Sequence, residues 1–373
     1  MASSAGEIVV ALCGDVMTGR GIDQILPFPG DSQIHEDYLS SALDYVGLAE
    51  TANGPIVKPV PFAYVWGDAL TALERARPDA RIVNLETSIT RSGDYERKGI
   101  NYRMSPENAP CLTAARLDCC VLANNHVLDW GPVGLDETIA TLAAHGIRCA
   151  GAGRSLPQAF APAAIDVAAS GRVLVFGYGA ASSGIPRHWR AADRRGGVNL
   201  LADLSERTVG AVAEQVRRVK RAGDIVVASI HWGRNWGYEI GRDERRFAHG
   251  LIDDAAVDVV HGHSSHHAKA IEVYRGRPIL YGCGDFLNDY EGIGGYRDFR
   301  GDLVLLYLVT LEMPGGQLRR LEALPFRIRR FRLERASRND AKWLCDTLDR
   351  EGERVGTGVV LSADDTLCVV PRT

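Results

Sequence analysis

Four of the ten histidines lie within seven consecutive residues, His261-Gly-His263-Ser-Ser-His266-His267. An even spread over the chain would put about 0.2 in such a window, so the density asks for a chemical reason. Imidazole nitrogen is a borderline donor suited to Zn, Fe and Mn. The segment follows the β-branched run VDVV, which puts His261 and His263 at the carboxyl end of a buried strand, where ligands bind in open α/β sheets. Other apolar runs end in the same way. Asp15 closes EIVVALCGD, Glu86 closes RIVNLE, Asn124, Asn125 and His126 close CCVLANNH, and His231 closes DIVVASIH. Each residue alone could cap a helix, form a turn or be a satisfied core histidine. Together, five strand ends supply the oxygen and imidazole donors of a site for one or two divalent ions, Mn, Fe or Zn.

The elements that must position these residues alternate along the chain. Strand-like runs at 7–14, 80–86, 118–125, 224–232 and 257–263 are interleaved with amphipathic stretches at 67–78, 134–146 and 205–223, the last with Ser205 as N-cap. This alternation predicts an α/β fold. Residues 163–178 and 269–283 are apolar runs split by Gly-containing turns and predict β-hairpins. Three strand-like runs between 302 and 335, divided after Phe326, and a helix near 338–352 follow, which suggests two packed sheets with helices outside. Residues 1–335 are expected to form one unit, with a helix and strand of 336–373 packed on it. The proline-rich stretch 27–66 is expected to be a lid or wall of a pocket.

Composition narrows the function. With 46% hydrophobic and 24% charged residues the chain is globular, and 43 Lys plus Arg against 47 Asp plus Glu leave a net charge of −4. That balance gives no footprint for nucleic acid or an acidic membrane surface. Residues 8–13 are too short an apolar run for a signal or a span, and no basic region precedes them, so a cytoplasmic location is expected. The eight cysteines are scattered without a CxxC pair and read as reduced core thiols. No GxxxxGK[ST] loop, no Rossmann glycine fingerprint and no GxSxG elbow is present.

Taken in order, GDVMTGRGID (14–23), NLETSIT (84–90), LANNHVLDWGPVGLDET (122–138), GAG (151–153), IHWGRNWGYE (230–239) and GHSSHHAKAIEVYRGRPILYGCGDF (262–286) resemble the CapA family. That family is associated with capsule and poly-γ-glutamate biosynthesis and belongs to the calcineurin-like metallophosphatase superfamily. The resemblance covers about residues 7–290 and implies a four-layered α/β/β/α sandwich. It implies Asp15, Asn125, His231, His263 and His266 as metal ligands, Glu86 as the metal-bridging acid and His126 as the histidine that serves the chemistry. Three features depart from the family's pattern. Asp15-Val16-Met17 stands where Asp-x-His is usual, the bridging acid is Glu, and two serines separate the final histidines. Asp285 stands where Asn is more common and is a possible added acid or ligand.

These readings converge on a metallohydrolase in which a metal-bound hydroxide attacks a phosphoester or γ-glutamyl amide of a small anionic substrate. His126, oriented by Asp129, would protonate the leaving group. Asp129 also suits a plain helix-entry turn before Gly131-Pro132. Arg20, Arg103 and Asn124 are candidates to hold the substrate. Two alternatives stand beside this: a non-catalytic accessory or binding protein for poly-γ-glutamate or capsule synthesis, and an amide-directed enzyme of small-molecule biosynthesis. Oligomeric state is not legible in the chain.

Overall fold

In the computed structural model, which describes residues 6–167 and 171–372, the two longest sheets contain ten and six strands. The strands of the two sheets are β1 Glu7–Val16, β2 Ala80–Leu85, β3 Cys119–Val121, β4 Arg148–Ala150, β5 Ala163–Val167, β6 Gly171–Gly179, β7 Ile225–His231, β8 Val259–His263, β9 Ile271–Tyr274, β10 Arg277–Leu280, β11 Asp285–Leu287, β12 Leu303–Glu312, β13 Leu318–Arg329, β14 Arg332–Arg335, β15 Thr357–Leu361 and β16 Leu367–Pro371. The larger sheet runs β15-β16-β13-β12-β1-β2-β3-β4, with β11 paired to the end of β1 and β14 to β13. The smaller runs β9-β10-β8-β7-β6-β5. In the larger sheet β1 to β4 are parallel, and in the smaller β6, β7, β8 and β10 are parallel.

Central parallel strands are covered on both faces, and their sequences are accordingly apolar almost throughout. β1 is buried from Ile8 to Val16 and β7 from Ile225 to His231. Val173, Val175, Val227 and Val259 of the smaller sheet join the core shared with the larger one. Their neighbours Leu174, Phe176, Val226 and Val260 point the other way, into a second core. That second core is closed by helices at Glu206–Arg217 and Arg242–Asp253, the former presenting Val209, Val212, Ala213 and Val216 at helical spacing. Helices Asp68–Ala76 and Gly131–Ala144 pack against strands of the larger sheet. The result is the α/β/β/α sandwich.

The expected elements form with four local differences. The strand expected over 118–125 stops at Val121, because Asn124 pulls the chain out of the ladder: its Nδ2 donates to Leu85 O (2.8 Å) and Asn84 Oδ1 (3.1 Å). The break expected after Phe326 falls instead at Arg330 and Phe331, both at φ +56°, which carry neither of the usual turn residues. The buried Glu291 carboxylate holds that turn by accepting from the amides of Arg330 (2.7 Å) and Phe331 (2.5 Å). Ser205 sits at the N-cap, but its hydroxyl donates to Asp203 Oδ1 (2.6 Å) rather than capping the helix. Both hairpins form, although the turn of the first, residues 168–170, lies outside the described residues. After the helix Arg338–Gly352, two strands rather than one extend the larger sheet. Among the described residues no helix is long and apolar enough to cross a membrane.

Candidate metal centre

Parallel strands of both sheets end at one edge, and their last residues meet there. β7 and β8 pair so that Ser229 faces His261 and His231 faces His263. The Ser229 hydroxyl lies 2.9 Å from both His261 Nδ1 and His263 Nε2. His261 Nε2 is 2.9 Å from Cys13 O on the facing sheet, so both ring nitrogens of His261 are used in the core. His263 is tied to Ser229 through Nε2, and its Nδ1 turns toward His231 and Asp15 of β1. Asp15 arrives there because β1 and β11 run side by side, pairing Asp15 with Asp285. That approach needs Gly14, where a Cβ would sit 1.7 Å from Gly284 O.

His231 Nδ1 and His263 Nδ1 are 2.8 Å apart, and Asp15 Oδ1 is 4.0 and 3.7 Å from them. A point equidistant from these three atoms would be about 2.1 Å from each, within the roughly 2.0–2.2 Å of zinc bonds to nitrogen and oxygen. A second group uses the same aspartate with His266 and Asp285, where His266 Nδ1 lies 2.9 Å from Asp285 Oδ1. Asn288 Nδ2 donates to the other Asp285 oxygen (2.8 Å) and fixes that carboxylate. Asp15 is thus the shared residue, and its side chain is oriented by Asn84 Nδ2 (2.7 Å) and the Ser264 amide (3.1 Å).

Glu86 lies beside Asp15, with Oε1 3.7 Å from His126 Nε2 and 3.9 Å from His231 Nε2, while its buried Oε2 has no partner. Asn125 Oδ1 is 2.7 Å from His231 Nε2. Burial, followed by the neighbouring Asp285, raises Asp15 to about 7, and burial with Asp15 and Asp285 pushes Glu86 well above the carboxylate range. Burial and the neighbouring His261 and His231 hold His263 well below its usual value. Burial holds His231 and His263 well below the imidazole value, whereas Asp285 and Asp15 raise His266 against burial. Three crowded carboxylates, one of them with an oxygen that lacks a hydrogen bond, thus face a single imidazole that favours its charged form. This donor set fits a divalent cation.

One step out, His126 Nδ1 is 2.6 Å from Asp129 Oδ2, and Lys98 Nζ is 2.7 Å from Asp129 Oδ1. Lys98 also donates to Asn125 O, which ties the row to the strand end carrying Asn125. Burial first, then Lys98 and Arg20, holds His126 well below the ordinary imidazole value.

The family model described as bacterial capsule synthesis protein PGA_cap matches residues 9–290. The chain belongs to this family. It is 50% identical, over 100% of its own length and 98% of the relative's, to a Mycobacterium tuberculosis protein named "probable polyglutamine synthesis accessory protein". It is 28% identical over 208 residues to the "PGA biosynthesis protein CapA" of Bacillus subtilis, covering 55% of this chain and 52% of that one. A solved phosphatase from Mycoplasma pneumoniae aligns over 87% of this chain and 95% of its own at 11% identity, with a TM-score of 0.48.

In this family member the structure brings Asp15, Glu86, Asn125, His126, Asp129, His231, His263 and His266 into one cluster, buried except for the half-buried Asn125. The other three candidates have different surroundings. Asn124 is fully enclosed and braces the loop, its Oδ1 accepting from the His126 amide (3.1 Å). Arg103 donates to Ser92 O and Asp31 O and lies over Trp130, away from the cluster's contacts. Arg20 lines the adjoining cleft, yet it already donates to both oxygens of Asp289, to Glu36 Oε1 and to Tyr45 OH. Sequence reasoning missed Lys98, Ser229, Asn84 and Asn288. Ser229 was reachable, since it lies two residues before His231 on a strand whose alternate residues share a face. Lys98 lies in an aperiodic loop and left no signal.

Proposed function

We propose that this chain is a divalent-metal-dependent hydrolase of a small anionic substrate, cleaving a phosphoester or a γ-glutamyl amide. The observation that carries the reading is the position of Asp15 in two donor groups, with a histidine–aspartate–lysine row alongside. Asp15, His231 and His263 would hold one ion, and Asp15, His266 and Asp285 a second, with Glu86 and Asn125 completing the donors. Such an ion supplies Lewis acidity and lowers the pKa of a coordinated water from 15.7 toward about 7.

The chain's own residues would then do the following. Asp129 accepts from His126 Nδ1 and so leaves Nε2 toward the cluster, where it can pass a proton to a leaving group. Burial raises Asp129 to about 7, and Lys98 opposes that rise and holds the carboxylate in place. The low basicity that burial imposes on His126 is offset when an anionic substrate is present. The stretch 27–66 serves as a wall, contributing Tyr38, Tyr45 and Asn53 to the cleft beside His266. Residues 1–335 and the C-terminal 336–373 act as one unit in this reading.

A second reading has support in the mycobacterial relative's name: the same cluster would bind a metal or a glutamate-rich polymer without turnover. Metal analysis followed by turnover of a panel of phosphoesters and γ-glutamyl amides separates the two. Release of product that depends on metal and on His126 supports the hydrolase, whereas metal binding without turnover on any member supports the accessory role.

A further inference from the structure

Ten large hydrophobic side chains are exposed among the described residues, and four of them, Tyr38, Ile100, Ile293 and Tyr296, line one cleft. They come from three separate parts of the chain, so no single element's amphipathicity accounts for their gathering. The cleft has a volume of about 620 Å³, enough for a drug-sized ligand, and it opens onto His266. One wall is a row of rings leading outward from that residue. His266 lies 5.4 Å from Trp236, and Tyr296 stacks on Trp236 with ring centres 4.2 Å apart and planes within 7°. Tyr296 is 56% exposed despite that stack, so ring surface is left open to the cleft. The remaining lining includes Tyr102 and Tyr290, whose hydroxyls are joined at 2.7 Å.

A site for a purely polar or polyanionic chain would be walled with free cations. Here Arg20, Arg300 and Arg327 line the cleft, but Arg20 is bound by Asp289 and Glu36, Arg300 by Asp302 and Asp340, and Arg327 by Asp302. Exposed apolar surface gathered at a pocket mouth is a cost in water that a ligand removes. Flat rings are bound best by ring faces left open to them.

We infer that the ligand is a small anion bearing a planar aromatic ring, its anionic end at the Asp15–His266 cluster and its ring in the slot between Tyr296 and the Tyr102–Tyr290 side. The inference rests on the hydrolase reading for the anionic end only, because the ring slot is built from residues outside the metal cluster. The reaction proposed for the site is unchanged: water adds across the phosphoester or amide bond, and the ring leaves with, or stays on, one product.

The test uses two matched probe pairs on the full chain, phenyl phosphate against methyl phosphate and γ-glutamyl anilide against γ-glutamyl methylamide. Binding is followed by calorimetry and by tryptophan fluorescence, with and without added Zn. In at least one pair the aryl member is expected to bind about tenfold more tightly. Tyr296→Ala should remove most of that preference, and Tyr296→Phe should retain it. Equal binding within both pairs, no binding of any probe, or a preference that survives Tyr296→Ala overturns the inference. If the protein takes up no metal, the hydrolase reading fails by itself, and the aryl preference of the metal-free protein still decides the slot.

Discussion

Glu272 and Asp15 are both carboxylates sealed in the protein, 3% and 0% exposed, and their surroundings treat them in opposite ways. Glu272 receives Arg245 Nη2 (2.8 Å) and the Tyr281 hydroxyl (2.6 Å), and His249 Nε2 lies 3.0 Å away. Burial pushes it up, but the hydrogen bonds from Arg245, Tyr281 and His249 together leave it below the usual carboxylate range. Asp15 has an amide, a backbone N–H, two further acids and the His266 imidazole around it, and burial followed by Asp285 outweighs His266 and raises it to about 7. A buried acid with its positive partner built into the chain is structural. One whose neighbours leave it short of positive charge has room for a partner from outside, and at Asp15, where His266 alone offsets three acids, imidazoles and a second carboxylate point to a metal ion as that partner.

Substitution at the shared ligand should break the comparison most visibly. Asp15→Asn is expected to reduce metal affinity by more than the roughly 10- to 100-fold typical of outer-shell changes, with turnover lost and the metal-free protein still folded. Metal content per folded chain, with circular dichroism as control, checks this. Next in size is His126→Asn, which should retain metal but lower turnover by about 10²- to 10⁴-fold, and by less for a substrate whose leaving group needs no proton. Metal loss in this variant would instead make His126 a ligand.

At the other carboxylate the effect moves from function to stability. Glu272→Gln should cost about 1–3 kcal/mol in denaturant unfolding, because charge-assisted hydrogen bonds are lost around a buried site, with metal content unchanged. The smallest effect is a slope against pH. Asp15 titrates near 3.8 when unfolded and near 7 when folded without metal, so the folded protein holds the extra proton and stability falls as pH rises across that window. In melts of metal-free protein between pH 4.5 and 7.5, Asp15→Asn should therefore gain on the wild type as pH rises. A constant difference would mean that Asp15 already has its countercharge within the chain.

Much of the cluster was legible because β7 and β8 are parallel strands with continuous apolar runs, and polar residues at their carboxyl ends have one place to go. The histidine-rich segment also divides in a way that spacing alone could not resolve. His261 and His263 share a face, and only the facing Cys13 carbonyl consigns His261 to the core. The sharing of Asp15 was not legible either, because it depends on Asp285 arriving on a short strand paired through a glycine contact. Lys98 and Tyr296 lie in loops, where no period constrains a side chain's direction. The turn at Arg330 and Phe331 carried no turn residue because its conformation is imposed by Glu291 from a distant loop.

Elemental analysis of the purified full chain after expression in metal-supplemented medium tests the central claim most directly. The account predicts between one and two ions of Mn, Fe or Zn per folded chain, falling sharply in Asp15→Asn and unchanged in Glu272→Gln. A metal-free wild type that shows no binding tighter than millimolar on titration would contradict it.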